Sequence, residues 1–155
     1  ANPNARGALV GLTPRHGKNE IIRSIMEGIT YAMKDSLEII HSMGIEVGQI
    51  RLSGGGAKSG FWRQMQADVY EHPVCTIKTE EGPAYGVALL AGVGTGVWNS
   101  VEEACEQAIS VTSRCEVNRE RARIYGEFYP IFQGLYRSLK HDFDVITEKV
   151  GRLHG

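Results

Sequence analysis

From Ile22 onward, apolar residues recur at three- and four-residue steps: Ile22, Ile25, Met26, Ile29, Met33, Leu37 and Ile40. That spacing puts them on one face of a helix. Asn19 offers a side-chain oxygen to the first free N–H groups, and Gly44 suits the left-handed turn that closes a helix. A helix is therefore expected from 19 to about 43. Ahead of it, 6–12 reads as a short strand and 13–19 as a polar turn carrying Pro14 and Gly17. Beyond it, Ile50 and Leu52 centre a buried strand over 49–53. Gly54, Gly55 and Gly56 interrupt that strand, and a second helix is expected over about 59–70. Pro73 ends it, because proline disfavours helical geometry in the residue before.

The remaining segments continue the alternation. Residues 74–79 alternate and are rich in β-formers. Pro83, with Glu80 and Glu81 ahead of it, suits the start of a small-residue helix over 84–93. Ser100 and Glu103 form a capping-box pair for a short helix over 101–109. Residues 111–117 fit a strand, and 119–149 carry a helical pattern with a break expected near Pro130 or Gly134. Tyr125, Phe128, Tyr129, Phe132 and Tyr136 recur on it at helical steps, a stripe that suits a core or an interface. Strands alternating with helices predict an α/β layer fold.

Composition narrows the classes. The 155 residues are 42% hydrophobic and 23% charged, with a formal net charge of -1. That length supports one domain with its own core. The charge argues against nucleic acid or a membrane surface as partner, since both call for a basic patch. Cys75, Cys105 and Cys115 stand singly, without the paired spacing of a zinc site. An odd cysteine count fits a reducing, cytoplasmic setting. No apolar run nears the roughly 20 residues that span a bilayer, and no signal peptide is visible. The opening Ala1-Asn2-Pro3-Asn4 lacks an initiator Met and reads as a cut inside a longer polypeptide.

The strongest chemical signal is Leu52-Ser53-Gly54-Gly55-Gly56-Ala57-Lys58-Ser59. Glycines remove the Cβ atoms that would keep a phosphate or nucleoside off the backbone. The helix that follows offers unpaired N–H groups to an anion. A P-loop would need Gly at both Leu52 and Ala57, and a dinucleotide fingerprint would need Gly or Ala at Ser59. The glycines alone leave two readings open: a nucleotide site, or a tight strand-to-helix turn with no ligand. Trp62 suits either a nucleoside wall or helix packing, and packing is the commoner use.

Gly86 and Gly92 inside the small-residue helix each cost about 1 kcal/mol relative to Ala. Close packing against another helix or domain is the expected reason, and the same holds for Gly28. The five histidines are scattered, with no carboxylate or cysteine at a telling spacing. Glu80 and Glu81 suit a helix dipole better than a catalytic pair.

Three ordered segments resemble the FGGY family of carbohydrate kinases. Gly7-x-Leu9-x-Gly11-Leu12, seven residues, then Glu20-Ile21-x-x-Ser24-Ile25-Met26-Glu27 match that family's second signature. The glycine loop with Phe61-Trp62-x-Gln64-x-x-Ala67-Asp68 resembles its adenosine-binding segment, and Glu81-Gly82-Pro83-Ala84-Tyr85-Gly86-Val87-Ala88 the segment after it. Within the family, Ser53 to Trp62 and Glu80 to Gly86 look most like the xylulokinase branch. Kinases of ribulose, gluconate, glycerol or autoinducers are the alternatives.

The resemblance implies the second of two actin-like, ribonuclease-H-like domains, an α/β ATPase domain whose sugar-binding partner domain is absent. It implies ATP and Mg²⁺ as cofactors. The implied partners are an adenine nucleotide and, through the absent domain, a sugar; a homodimer is compatible with it. By resemblance, Gly54, Gly55 and Gly56 approach the phosphates and ribose, while Ala57 and Ser59 border the adenosine. No residue here matches the family's catalytic Asp, and none matches a metal ligand. Two other classes stay open on the residues: a nucleotide-sensing module without transferase activity, and a dinucleotide-binding oxidoreductase domain.

Overall fold

The computed structural model describes residues 2–78 and 82–154. The first helix, α1, spans Lys18–Ser42. Gly17 caps it rather than Asn19, which lies inside the first turn. The Glu20 carboxylate accepts the Gly17 N–H at 2.9 Å, so a residue of the first turn reaches back to do the capping. At the other end Gly44 takes φ +76° and donates its N–H to the His41 carbonyl at 2.9 Å. That is the left-handed closure expected there.

The strand expected over 6–12 does not form. Leu9, Val10 and Leu12 stay exposed. A strand is held by pairing, and no described strand lies alongside this segment. It is tethered instead by side chains at its start, with Asn4 Nδ2 donating to Asp144 at 2.8 Å and Arg6 Nη2 to Thr147 at 3.1 Å.

Three strands make one mixed sheet in the order β1 (Ile50–Leu52), β2 (Val74–Ile77), β3 (Val111–Cys115). β1 and β2 run parallel with Leu52 opposite Thr76, and α2 (Gly60–Tyr70) makes the crossover between them. β3 pairs antiparallel to β2, with Val74 opposite Cys115. α2 ends at Tyr70 because Glu71 turns into the left-handed region at φ 56°. The nearly buried Lys34 of α1 holds that corner, with Nζ 2.9 Å from Glu71 Oε1 and 4.9 Å from the Tyr129 ring centre.

α3 (Gly82–Gly94) has Pro83 in its first turn, as expected. Glu80 and Glu81 lie outside the described residues. α4 (Val101–Ala108) is capped by Ser100, whose Oγ accepts the Glu103 N–H at 3.1 Å. Glu103 reaches one residue further back than a capping box requires and accepts the Asn99 N–H at 2.8 Å.

α5 (Arg119–His154) runs unbroken through Pro130 and Gly134, against the expected break. A proline removes a single N–H and clashes only locally, and here the flanking turns are clamped. Tyr125, Tyr129 and Phe132 of α5 surround Tyr31 of α1, with ring centres 6.2, 5.7 and 5.3 Å away. The aromatic stripe is thus a core on one side. Phe128 and Tyr136, its other members, remain exposed.

The core joins Tyr31, Leu52, Met65, Ala67, Val69, Tyr70, Val74 and Tyr125. The apolar face predicted for α1 is only partly the buried one. Met26 and Leu37 pack on the core, while Ile22, Ile25, Ile29 and Met33 stay 44–50% exposed and Thr30 and Lys34 are buried in their place.

The helix glycines divide. A Cβ on Gly92 would lie 2.7 Å from Trp98 Cε3 and closer still to Cζ3, so an indole ring occupies that space. The partner is the loop after the helix rather than another helix. Gly86 and Gly28 meet nothing within 4 Å, so close packing within the described residues does not explain either.

The buried tyrosines give the fold an alkaline limit. Burial pushes the Tyr70 phenol up to about 12 from 10.0. Burial, with the nearby Glu27, also raises Tyr31. In an unfolded chain tyrosine ionises near pH 10. Above about pH 10 the unfolded chain sheds its proton first, so stability that is complete below that pH falls toward about pH 12. The urea midpoint should drop between about pH 9 and 11. Tyr70→Phe should shrink the drop, and an identical drop in that variant would sink the assignment.

Candidate functional site

β1 delivers the chain to the glycines. Gly54 takes φ +77° and ψ -172°, a region essentially reserved for glycine. Gly55–Lys58 then form a 3-10 turn, with the Ala57 N–H bonded to the Gly54 carbonyl and the Ser59 N–H to the Gly56 carbonyl, both at 3.2 Å. α2 begins only after that turn. Ser59 is its N-cap, and Ser59 Oγ accepts the Trp62 N–H at 3.3 Å. So the glycines do not run straight into the helix, and one of its leading N–H groups is already satisfied.

The three glycines have separate reasons. Gly54 supplies the backbone conformation. Gly56 makes room for Trp62, since a Cβ there would lie 2.8 Å from Trp62 Cζ3 and 3.0 Å from Cε3. Trp62 Nε1 donates to Thr30 Oγ1 at 3.0 Å, and Thr30 in turn donates to the Met26 carbonyl at 2.7 Å. Trp62 therefore packs between the turn and α1, as its commoner use predicted. Gly55 faces open space, with nothing within 4 Å of the position its Cβ would take.

A recess of about 160 Å³ lies beside the turn, lined by Leu52, Ser53, Gly54, Ala57, Lys58, Arg63, Thr76, Ile77 and Lys78. Of the five residues singled out in the sequence, Gly54 and Ala57 line it, while Gly55, Gly56 and Ser59 do not. Arg63, Thr76 and Lys78 join the site unannounced. Arg63 follows Ser59 by one helical turn, a signal available in the sequence. Thr76 arrives only because β2 pairs with β1 in register.

Among the described lining residues none is acidic and three are cationic. A surface of that sign, with glycine backbone exposed beside it, suits an anion. The volume is well below the roughly 300–1,000 Å³ of a full ligand site, so the recess forms one wall of a site. A larger depression of about 1110 Å³ runs along α1 and α5, but Asp35 and Glu38 line it. Among the described residues no group of three or more His, Cys, Asp or Glu is placed to hold a metal ion. No described helix is long and apolar enough to cross a membrane.

Residues 1–95 match the FGGY family of carbohydrate kinases, C-terminal domain, and the chain belongs to that family. A xylulose kinase of Staphylococcus epidermidis is 38% identical over 135 residues, which is 87% of this chain and 27% of the relative. A glycerol kinase of Saccharolobus islandicus is 39% identical over 103 residues, 66% of this chain and 21% of the relative. The crystal structure of a gluconate kinase from Lactobacillus acidophilus superposes with a TM-score of 0.79 at 26% identity, covering 92% of this chain and 29% of that one. The fold is accordingly that of the family's actin-like second domain. The chain spans between about a fifth and three tenths of the length of these relatives.

Proposed function

We propose that this chain forms the nucleotide side of the cleft in an ATP-dependent sugar kinase. The observation that carries the reading is the recess beside Gly54, lined by Lys58, Arg63 and Lys78, in a chain of this family. Gly54, Gly55 and Gly56 present their backbone to the phosphates and ribose, and the open space at Gly55 is where a missing Cβ permits close approach. Ala57 and Ser59 border the adenosine. Lys58 and Lys78 supply positive charge toward the phosphates.

The reaction is in-line transfer of the γ-phosphoryl group to a sugar hydroxyl, in which positioning and charge stabilisation do most of the catalysis. An Asp outside this chain accepts the hydroxyl proton. The described residues do not fit a Mg²⁺ site of their own. A Mg²⁺ ion would be carried by the nucleotide's own phosphates, where it would neutralise their charge. The three cysteines, all free, are consistent with a cytoplasmic enzyme.

The sugar we propose is D-xylulose, converted to D-xylulose 5-phosphate. The extended similarity to a xylulose kinase supports it. With the full-length polypeptide and MgATP, D-xylulose should give the highest kcat/KM among common ketoses, polyols and gluconate. A clear preference for glycerol, gluconate or ribulose would reject this sugar and leave the kinase reading standing. Absence of ATP-dependent phosphorylation of every sugar would reject both.

A further inference from the structure

The glycine turn is too short to hold itself. It has four residues in 3-10 geometry, a conformation with poor hydrogen bonds that rarely persists without outside support. Trp62 supports it on one side, at Gly56. On the other side stands Arg63. Its Nη1 donates to the Ala57 carbonyl at 2.6 Å and to the Lys58 carbonyl at 3.3 Å. Its own N–H donates to the Ser59 carbonyl at 3.0 Å. The Arg63 Nε is buried and has no partner among the described residues, and no described carboxylate pairs with the guanidinium. This charge is committed to backbone carbonyls, in a molecule whose other arginines often find a carboxylate, as Arg23 does in Glu27.

We infer that Arg63 is a positioning residue for nucleotide binding, fixing the orientation of the glycine backbone by bonding the two carbonyls at the turn's far end. The inference rests on the nucleotide reading of the turn given above. A cation bonded to both carbonyls ties two successive peptide planes to α2, and α2 is anchored by its buried run Met65 to Tyr70. A carbonyl bond to a charged donor is among the stronger hydrogen bonds in proteins. Without it the Ala57 carbonyl loses its bond and the Lys58 peptide keeps only the Ser59 N–H bond to Gly56, so the glycine surface is held less firmly in its preset shape. Preset shape governs ligand affinity more than stability, because the ligand must otherwise pay the ordering entropy on binding. Both bonds come from Nη1, which the rigid planar guanidinium holds between the two carbonyls; a lysine ammonium on its flexible stem is not held there.

The test uses the full-length polypeptide with Arg63→Ala, Arg63→Lys and Gly55→Val. Arg63→Ala should raise the KM for ATP about tenfold, the size of one lost charge-assisted bond, with kcat and sugar KM changed less than about threefold. Ethylguanidinium added to Arg63→Ala should restore ATP affinity, and Arg63→Lys should fall between the two. If Arg63→Ala does not fold, Arg63→Lys decides on the same split between KM for ATP and sugar KM. An unchanged ATP KM in a folded variant overturns the inference. So does a loss that follows the fall in melting temperature and resists guanidinium. If Gly55→Val raises the ATP KM and Arg63→Ala does not, this inference alone falls. If Gly55→Val also leaves it unchanged, the nucleotide reading of the turn falls first and takes the inference with it.

Discussion

Supplied with D-xylulose and MgATP, the 155 residues alone should phosphorylate nothing, whereas the full-length polypeptide should turn over. The recess at the glycine turn is about 160 Å³, too small to enclose a nucleotide, whose site needs roughly 300 Å³ or more. Lys58 and Lys78 are exposed, and at an open surface the pull of such charges on phosphate is screened. ADP should therefore bind the isolated chain no more tightly than about 1 mM, about 4 kcal/mol. The chain should also associate with itself, because Ile22, Ile25, Ile29 and Met33 form an uncovered apolar row on α1. A coupled kinase assay, calorimetry with ADP and sedimentation check the three parts. Turnover by the isolated chain would place a proton acceptor within these 155 residues and overturn the assignment of the catalytic Asp to the rest of the polypeptide.

Two neighbouring glycines should fail in opposite ways. Gly55→Val places its branches where nothing stands within 4 Å and where φ is not positive, so the fold should tolerate it. If the nucleotide lies there, the valine meets the ligand, and the KM for ATP should rise about tenfold or more while sugar KM holds. Gly56→Val instead drives a Cβ against the Trp62 ring, 2.8 Å away. The ring is held by its bond to Thr30, itself fully buried. Overpacking there should cost about 1–3 kcal/mol of stability. Melting temperature and ATP KM measured on both variants separate the cases. A destabilised Gly55→Val with normal ATP KM would show that the open space at Gly55 serves the fold and not a ligand.

Much of the architecture was legible along the chain because its signals are local. Pro83 opening α3, Ser100 capping α4 and Gly44 closing α1 all depend on groups within four residues of one another. The glycine turn was found for the same reason. One local choice went the other way: Asn19 was a sound cap candidate, yet Gly17 capped with help from Glu20, three residues on. The other failures came where a distant group decides. Pro130 signalled a break, but packing of Tyr125, Tyr129 and Phe132 around Tyr31 carried the helix through it. The segment 6–12 has strand-like residues and, among the described residues, no strand to pair with.

The candidate site divides along the same line. Its glycines, and the family likeness they share with the flanking segments, are properties of the residue string, because backbone permissiveness is written one residue at a time. Which glycine serves which purpose was decided by the tertiary structure. Gly56 answers to Trp62 and, through it, to Thr30 of α1, while Gly55 faces open space. Thr76 reached the recess through strand register, and Arg63 turned to the carbonyls of Ala57 and Lys58 instead of a carboxylate. The order of residues determines which conformations and charges are available. Contacts between residues far apart in the chain select among them, since burial and pairing energies belong to surfaces that exist only once the chain has folded.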